Sequence, residues 1–572
     1  MGKPVTGGLD ASFALGAHQR AFEKNLADLR DKRIMSRIWA HDHTVWKPEP
    51  AEITNRLGWL HSPEVMGDNV KRMEELADAV RSDGYTHALL LGMGGSSLAP
   101  KVFRKTFGVK DGFLDVGVLD STDPATIVAH TETLAPSRTL FIVSTKSGTT
   151  VETLSFFKFF YNWVCDALGQ DRAGEHFIAI TDPGTPLTSL AAKYGFRTTF
   201  LNDPAIGGRY SALIFFGLVP ATLIGVDVSA LLDRAMNAVC NAEGCNCPVT
   251  GDNRGARLGV ILGGLNRADR DKLTLIASPA IESFGDWVEQ LVAESTGKEG
   301  KGILPVVGEP VGPPEVYGKD RIFVHLRMDG DKTNDTAISE FEKAGHPVVR
   351  LFLKDRYDLG GQYFLWGIAI AVAGHLLCIN PFDQPNVEAA KALARKLTAQ
   401  YKDKGSLPGE RPSLEETGIA IYGDLRGNTL KEALTAFLDQ AKEGAYVALQ
   451  AYVQPIAETT AALQELRTRI RDNYHVATTV GYGPRFLHST GQLHKGDAGN
   501  GLFIQFTADD KRDIPIPDEA GSPDSSMTFG VLKASQAMGD RQALLDRGRK
   551  VIRFHLGGDV LGGLKKLAEV LT

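Results

Sequence analysis

The segment Thr139–Phe160, "TLFIVSTKSGTTVETLSFFKFF", decides the fold, because an apolar run passes through short polar residues into a helical pattern. The run "TLFIV" has the length and composition of a strand that is buried on both faces, which is typical of a parallel sheet. From Val151 onward the apolar residues recur at helical spacing. Strand, loop and helix in this order form one βα unit, so the segment predicts an α/β fold.

The same alternation continues on both sides of this segment. Four more apolar runs are separated by helical stretches: "THALLLG", "VGVLDS", "HFIAIT" and "RTTFLN". A second series follows later in the chain: "DKLTLIAS", "DRIFVHL" and "HPVVRLFL". Short apolar strands interleaved with helices predict two doubly wound parallel sheets in series, each covered by helices on both faces.

The pattern also predicts the domain organisation. We expect a helical N-terminal arm over residues 1–79, a first sheet domain over 80–226 and a second over 227–443. A C-terminal α/β extension over 444–572 is predicted from the strand, helix and strand pattern of "AYVALQAYV", "TTAALQELRTRIRD" and "HVATTVGY". The boundaries are placed in loops, which carry the weakest pattern.

Composition narrows the class of protein. A formal net charge of -6 over 572 residues argues against binding to nucleic acid or to a membrane surface. No secretory signal or membrane-spanning run is evident, and five cysteines, an odd number, favour reduced thiols in a cytoplasmic protein. The cluster of Cys240, Cys245 and Cys247 lacks a nearby fourth ligand, so we expect no metal site there.

Two polar loops follow strands of the first sheet. The loop "GMGGSS" (92–97) follows the first strand, and "STKSGTT" (144–150) follows the third. Both lead into helix N-termini, where free amides and the helix dipole attract anions. Loop residues that supply close backbone approach, hydroxyl donors or charge are Gly95, Ser96, Thr145, Lys146, Ser147 and Thr150. The two loops at one rim predict a phosphate site; the alternative is a cluster of helix N-caps, which also favour Ser and Thr.

Three further segments carry candidate reacting groups. Arg209, behind two glycines, is placed to stabilise an oxyanion; the alternative is a salt bridge at a domain hinge. Gln290 and Glu294 lie four apart at the end of a predicted helix, where a carboxylate can act as a general base. In "NPFDQPNVEAAK" we expect a helix capped by Asp383, with Gln384 and Lys391 on one face.

With these motifs in place, the sequence resembles the phosphoglucose isomerase family, whose two sheets are sugar-isomerase (SIS) domains. Five segments match family motifs in the family's order over about residues 80 to 405: "LGMGGSSLAP", "STKSGTTVET", "IGGRYS", "EQLVAESTGKEGKGI" and "NPFDQPNVEAAK". Matches in order are far more specific than any one glycine loop. The N- and C-terminal segments resemble more narrowly the isomerase half of bifunctional transaldolase/glucose-6-phosphate isomerases, without the transaldolase barrel.

The resemblance implies roles for these residues. The two loops would hold the substrate's phosphate, Glu294 would be the base, and Arg209 would stabilise the enediolate. Lys391 would assist ring opening, and Gln290 and Gln384 would order the substrate. The implied reaction is the reversible isomerisation of glucose 6-phosphate and fructose 6-phosphate, with no metal and no cofactor, in a homodimer.

One residue departs from the family pattern. The family usually carries a catalytic histidine in an "HSxGQ"-like motif soon after the glutamate segment, contributed by the partner subunit. Here "HSTGQ" stands at residues 488–492, nearly two hundred residues later. We expect His488 to open the sugar ring, with His494 as the competing candidate and His325 as a core residue.

Two alternatives remain open from the sequence. One is a non-catalytic sugar-phosphate-binding regulator, because this fold also serves regulators. The other is an isomerase for another hexose phosphate, which the same phosphate loops would bind equally well.

Overall fold

The N-terminal segment is mostly helical and also contributes a strand. The structure, a computed structural model, describes residues 10–244, 253–424 and 426–571. The segment contains β1 (Ala11–Ala14), α1 (Gln19–Asp31), α2 (Ile34–Trp39), α3 (Ser62–Gly67) and α4 (Val70–Ser82). β1 pairs antiparallel with the strand Val348–Leu353 at the edge of the second sheet. The arm is therefore joined to that sheet by backbone hydrogen bonds.

The first sheet has five parallel strands, as the sequence predicts. They are β2 (His87–Gly92), β3 (Asp115–Leu119), β4 (Thr139–Ser144), β5 (Phe177–Thr181) and β6 (Thr198–Leu201). Its helices are α5 (Leu98–Phe107), α6 (Pro124–Thr133), α7 (Val151–Leu168), α8 (Gln170–Ala173), α9 (Pro186–Lys193) and α10 (Phe215–Leu223). The order β3-β2-β4-β5-β6 places the change of winding direction between β2 and β4. Open sheets of this kind bind ligands outside the carboxyl ends of the strands at such a point.

The second sheet has four strands of its own: β7 (Lys272–Ala277), β8 (Leu304–Val307), β9 (Arg321–Met328) and β10 (Val348–Leu353). Its order is β1-β10-β9-β7-β8, and its strands are parallel apart from β1. The helices are α11 (Val228–Gly244), α12 (Arg254–Asn266), α13 (Phe284–Thr296), α14 (Asp335–Lys343), α15 (Leu359–Leu377) and α16 (Glu388–Lys404). The predicted strands are confirmed, whereas Cys245 and Cys247 lie outside the described residues.

Helix α15 is the centre of the largest hydrophobic core. Its residues are buried almost without exception, and it packs against α11, α12 and α13. The region Arg356–Leu377 is long and apolar enough to cross a membrane, but 94% of its most apolar window is buried inside the protein. The length and apolarity of this helix are thus explained by its central position in the core.

The C-terminal part forms a third sheet and a small ribbon. The strands are β11 (Leu414–Glu416), β12 (Ile419–Tyr422), β13 (Tyr446–Tyr452), β14 (Ala477–Tyr482), β15 (Gly501–Thr507), β16 (Pro515–Ile516), β17 (Met527–Thr528) and β18 (Lys550–His555). The sheet has the order β11-β12-β18-β15-β13-β14, and β16 and β17 form the ribbon. The helices are α17 (Leu430–Leu438), α18 (Ala457–Tyr474), α19 (Gly491–Gly496), α20 (Phe529–Leu545) and α21 (Val560–Glu569). Two of these strands precede residue 444, so the sheet also draws on the chain before the predicted extension.

The third sheet has its own core but is firmly attached to the other two. Val447, Ile504 and Phe554 belong to a hydrophobic cluster separate from that of α15. Helix α20 packs along α16, and Lys533 of α20 forms an ion pair of 2.8 Å with Asp123 of the first sheet domain. This attachment brings the turn after β14 against the loop that follows β2 at the carboxyl edge of the first sheet.

Candidate active site

A cavity of about 530 Å³ lies at the winding change of the first sheet. All twelve predicted site residues line it. One set, here called the hydroxyl end, comprises Gly95, Ser96, Thr145, Lys146, Ser147 and Thr150. The other set, here called the acid–base end, comprises Arg209, Gln290, Glu294, Gln384, Lys391 and His488. The volume is within the range of ordinary small-molecule sites.

The loop after β2 is held very close to the segment that carries Arg209. A Cβ atom on Gly95 would lie 2.0 Å from the carbonyl oxygen of Gly208, so only glycine fits here. Ser211 strengthens the same junction, because its hydroxyl donates to the carbonyl of Gly95 at 2.9 Å. The glycine pair in "GMGGSS" therefore joins the hydroxyl end to the acid–base end.

The hydroxyl groups of the loop after β4 are not used as helix caps. Thr150 is the N-cap residue of α7, yet its side chain makes no capping hydrogen bond. Its hydroxyl instead lies 2.8 Å from that of Thr145. Ser147 Oγ accepts from the amide and the hydroxyl of Thr149, at 3.2 and 3.0 Å, which leaves its own hydrogen free to donate. This arrangement favours the anion site over the N-cap alternative.

The charge of Lys146 is partly balanced inside the protein. Its ammonium forms an ion pair with Asp182 and donates to the carbonyl of Pro204 at 3.1 Å. Burial raises the pKa of Asp182, against the opposing effect of Lys146. Arg56, from the N-terminal arm, also lines the cavity. The hydroxyl end therefore carries a second cation and a carboxylate that the sequence did not indicate.

Arg209 is almost completely buried and tightly held. Its Nε donates to Ser295 Oγ at 2.7 Å, and Nη1 donates to Gln384 Oε1 at 3.0 Å. Its Nη2 donates to the carbonyls of Pro381 and Asp383, at 2.8 and 2.9 Å. A guanidinium has five N–H groups, so one on Nη1 has no acceptor among the described residues. That group is available to a ligand anion.

Glu294 stands next to this guanidinium at the end of α13. Its Oε1 lies 3.7 Å from Arg209 Nη1, too far for a hydrogen bond but close enough for charge attraction. Gln290, one turn earlier, donates from Nε2 to Glu294 Oε2 at 3.1 Å and to the carbonyl of His488 at 2.8 Å. The predicted helix face is confirmed. This face presents the carboxylate of Glu294, in which Gln290 orients Oε2 and Oε1 is free to accept a proton.

The segment with Gln384 and Lys391 differs from the prediction. Helix α16 begins at Glu388, with Val387 as N-cap, so the predicted cap Asp383 and a helical Gln384 are wrong. Asp383 instead accepts from the ammonium of Lys298, at 2.6 Å to its carboxylate. Gln384 and Lys391 still line the same cavity, because the loop before the helix runs past Arg209. The contacts that Arg209 and Lys298 offer explain why the loop is not helical there.

His488 reaches the cavity from the turn after β14 of the same chain. Its Nε2 lies 3.0 Å from Oε1 of Glu152, the second residue of α7. Burial alone would raise the pKa of Glu152, but the charge and hydrogen bond of His488 outweigh it and lower that pKa. Gln536 donates to the same oxygen at 2.7 Å. An ionised carboxylate can only accept, so Nε2 of His488 carries a hydrogen.

The competing candidate His494 and the expected core residue His325 lie elsewhere. His494 is buried against Phe503 and Tyr446, and burial lowers its pKa well below the ordinary value. His325 is buried in β9, where burial lowers its pKa to about 4, in agreement with the core position expected for it. Neither lines the cavity.

Sequence reasoning missed four residues around the site: Arg56, Glu152, Asp182 and Lys298. Glu152 immediately follows the loop motif, and Asp182 follows β5, so the carboxyl-end rule for parallel sheets could have indicated both. Lys298 stands in "STGKEG" after the glutamate, where nothing marks it apart from Lys301. Burial, followed by the nearby charge of Arg209, lowers the pKa of Lys298 to about 8.

Metal ligands are not assembled in the described part of the chain. No group of three or more His, Cys, Asp or Glu side chains there is arranged to hold a metal ion. The lysine and arginine side chains that line the cavity are Arg56, Lys146, Arg209 and Lys391.

Comparison with known proteins identifies relatives of this chain. Residues 58–299 match the family model described as phosphoglucose isomerase. Glucose-6-phosphate isomerase of Rubrobacter xylanophilus is 29% identical over 388 residues, which cover 59% of this chain and 88% of the relative. That of Thermus thermophilus is 29% identical over 393 residues, covering 60% of this chain and 90% of the relative.

Solved structures agree on the fold. A glucose-6-phosphate isomerase from Chlamydia trachomatis superposes with a TM-score of 0.59 at 17% identity, covering 69% of this chain and 89% of that one. A hypothetical protein from Thermus thermophilus superposes with a TM-score of 0.58 at 24% identity, covering 68% and 99%. The resemblance inferred from the five motifs is confirmed: the chain is similar to the phosphoglucose isomerase family over residues 58–299.

Proposed function

We propose that this protein is a glucose-6-phosphate isomerase, which interconverts glucose 6-phosphate and fructose 6-phosphate through a cis-enediolate. The observation that carries the proposal is that a hydroxyl-rich anion site and a base, an arginine and a histidine share one cavity. The relatives from Rubrobacter xylanophilus and Thermus thermophilus are named for this activity, glucose-6-phosphate isomerase. A regulator would need the hydroxyl end alone, whereas here the acid–base end is complete.

The hydroxyl end holds the phosphate. Hydroxyls of Ser96, Thr145, Ser147 and Thr150 and the amides at the start of α7 donate to its oxygens. Lys146 and Arg56 supply positive charge, which Asp182 partly offsets. Binding energy from this remote group fixes the sugar so that its first two carbons lie at the acid–base end.

Ring opening is the role of His488. With Nε2 bonded to Glu152, Nδ1 remains as the atom that exchanges a proton with the sugar. The ring oxygen takes a proton while the hydroxyl on C1 loses one, and the C1–O5 bond breaks to give the open aldose. Lys391, which lines the same cavity, assists by interacting with the ring oxygen or the C1 oxygen as the charge on that oxygen changes.

Isomerisation then proceeds through Glu294. Its carboxylate removes the proton on C2, and the electron pair moves to form the C1–C2 double bond of the enediolate. The free N–H on Arg209 Nη1 stabilises the oxygen that becomes negative. A proton then passes from the oxygen on C2 to the oxygen on C1 as Glu294 returns its own proton to C1, which yields the ketose. Gln290 keeps one carboxylate oxygen fixed throughout.

The assembly and location of the protein stay predictions. The family resemblance predicts a homodimer in the cytoplasm, with no membrane or nucleic-acid partner. In the described residues, His488 comes from the same chain as Glu294, so each protomer supplies the full acid–base end. The narrower likeness to the isomerase half of bifunctional enzymes also stays a prediction.

A coupled assay for conversion of fructose 6-phosphate to glucose 6-phosphate tests the proposal. The wild-type protein should turn over this substrate faster than it turns over mannose or glucosamine phosphates. Glu294→Gln should lower kcat about a thousandfold at an unchanged KM, because general-base catalysis is lost while binding remains.

Glu289→Gln is the matched control for this change. Glu289 lies on the same helix, outside the cavity, so its amide variant should keep the wild-type kcat. Wild-type protein that binds hexose phosphates without converting any of them would contradict the proposal and favour a regulator. Undiminished turnover in Glu294→Gln would remove Glu294 as the base.

A further inference from the structure

Gln492 connects the segments that carry the reacting groups. It lies on α19, four residues after His488, and its side chain has no exposure to solvent. Its Oε1 accepts from the backbone amide of Asn386 at 2.8 Å, and its Nε2 donates to the carbonyl of Gly297 at 3.0 Å and to the side-chain oxygen of Asn386 at 2.7 Å. One buried amide group therefore bonds to the backbone of two distant parts of the chain.

Each of these backbone positions adjoins a residue at the acid–base end. Gly297 is the C-cap of α13 and lies three residues after Glu294, which stands in the last turn of that helix. Asn386 lies in the loop that holds Gln384 against Arg209. Gln492 itself follows the turn that carries His488. Three segments from the second and third sheets thus meet on a single side chain.

The contact between α13 and α19 is too close to allow much adjustment. A Cβ atom on Gly297 would lie 2.2 Å from the Cα of Leu493, so the two backbones touch here. A hydrogen bond across such a junction fixes both the distance and the sideways position of the two elements. The spacing between Glu294 and His488 depends directly on that position.

We propose that Gln492 is a positioning residue for the isomerase reaction, setting the relative placement of Glu294, His488 and Gln384. The inference rests on the proposed function. It makes a prediction that a purely structural role does not make. Loss of the three hydrogen bonds of Gln492 should reduce kcat more than KM, because no group at the hydroxyl end is attached to Gln492.

The test compares two buried glutamines in the full-length chain. Gln492→Met keeps the volume of the side chain and removes its three hydrogen bonds. Gln505→Met is the matched control, because Gln505 is equally buried and donates to the backbone carbonyl of Ala537 at 3.0 Å, away from the cavity. Steady-state kinetics with fructose 6-phosphate and urea denaturation are measured for both.

The expected result is a fall in kcat of at least about tenfold for Gln492→Met, with KM within about threefold of wild type. Gln505→Met, which removes one hydrogen bond and a buried oxygen that is unpaired within the described part of the chain, should lose less stability and keep its kcat. Gln492→Asn keeps a neutral amide but is one methylene shorter and cannot make all the contacts at once, so its kcat should lie between those of wild type and Gln492→Met.

Three outcomes separate the alternatives. An unchanged kcat in Gln492→Met, or an equal loss in both methionine variants, would overturn the positioning role. If Gln492→Met does not fold, Gln492→Asn decides, since an unchanged kcat in that variant also overturns the role. A wild-type protein inactive on every hexose phosphate would instead remove the proposed function itself.

Discussion

The two ends of the cavity are built in opposite ways. The hydroxyl end comes from two loops of one sheet, fewer than sixty residues apart, and its groups are held by local contacts such as that between Thr145 and Thr150. The acid–base end gathers residues from Arg209 to His488, out of several elements and two further sheets. Long-range hydrogen bonds, such as that from Gln290 to the carbonyl of His488, hold it together.

This difference predicts that substitutions at the two ends affect different kinetic constants. Groups at the hydroxyl end contact a part of the substrate that does not react, so they contribute similarly to ground state and transition state and should mainly affect KM. Groups at the acid–base end meet charge that develops only during the reaction, so they should mainly affect kcat. Each experiment below challenges one side of this comparison.

Among the variants that compare the two ends, the largest effect is expected at Arg209. Arg209→Lys keeps a positive charge but loses the planar arrangement of donors, so kcat should fall by about a hundredfold or more with little change in KM. Arg321→Lys is the control, because Arg321 is equally buried and pairs with Glu309 at 3.0 Å outside the cavity. The control should lose stability and keep its turnover. A large rise in KM for Arg209→Lys, without loss of kcat, would break the comparison.

A smaller effect is expected at His488, confined to one step. His488→Ala should lower the rate with the cyclic substrate by about ten- to a hundredfold, in the range of general acid–base catalysis. In the same variant, the rate at which the C2 proton exchanges in open-chain substrate should change little. His494→Phe, a change in the core of the third sheet, should lower stability and leave the ratio of the two rates alone. An unchanged rate of His488→Ala with cyclic substrate would exclude the histidine from ring opening.

The difference between the two ends also explains what the sequence could predict. The hydroxyl end is local, so the strands β2 and β4, their loops and the ligand class follow from apolar runs and loop chemistry. Glu294 and Gln290 were found because a helix keeps residues four apart on one face. In the described structure, all twelve predicted residues share one cavity.

What the sequence missed depends on contacts between distant segments. Asp383 has the composition of a helix cap, but Lys298 and Arg209 hold it in a loop, so tertiary contacts overrode a local preference. Glu152 was overlooked because its partner His488 is more than three hundred residues away. The pairing of β1 with β10 was missed for the same reason, since a four-residue edge strand has almost no pattern of its own.

A moderate effect on binding alone is expected at the hydroxyl end. Ser147→Ala removes one donor to a charged group, so KM should rise about tenfold while kcat stays within about twofold. Ser339→Ala, on α14 and outside the cavity, should match wild type in both constants. A fall in kcat for Ser147→Ala comparable to that of Arg209→Lys would show that the two ends do not divide their roles.

The smallest effect is a pH dependence at Lys298. Its pKa of about 8 means that the ammonium loses its proton, and its bonds to Asp383, as pH rises past 8. We expect kcat to fall severalfold around that pH, because Asp383 belongs to the loop that holds Gln384. Lys298→Met should show a lower kcat without this step. A profile with the same step in Lys298→Met would assign it to another group.

The same residue also predicts a change in stability. Between pH 8 and 10.5 the unfolded chain binds a proton at Lys298 that the folded chain has lost. The free energy of unfolding should therefore rise with pH across this window, by roughly 2 to 3 kcal/mol. Urea denaturation at about pH 7.5 and about pH 10 measures this, and Lys298→Met should lack the contribution.

One measurement tests most directly whether a single sugar phosphate spans both ends of the cavity. A five-carbon sugar-acid hydroxamate with a terminal phosphate mimics both the phosphate and the planar enediolate. Its affinity for the wild type, Ser147→Ala and Arg209→Lys is measured by titration calorimetry, together with that of the analogue lacking the phosphate. Both variants should bind the phosphorylated analogue at least about tenfold more weakly, and the effect of Ser147→Ala should vanish when the phosphate is absent. Unchanged affinity in Arg209→Lys, or an effect of Ser147→Ala that persists without the phosphate, would contradict the account.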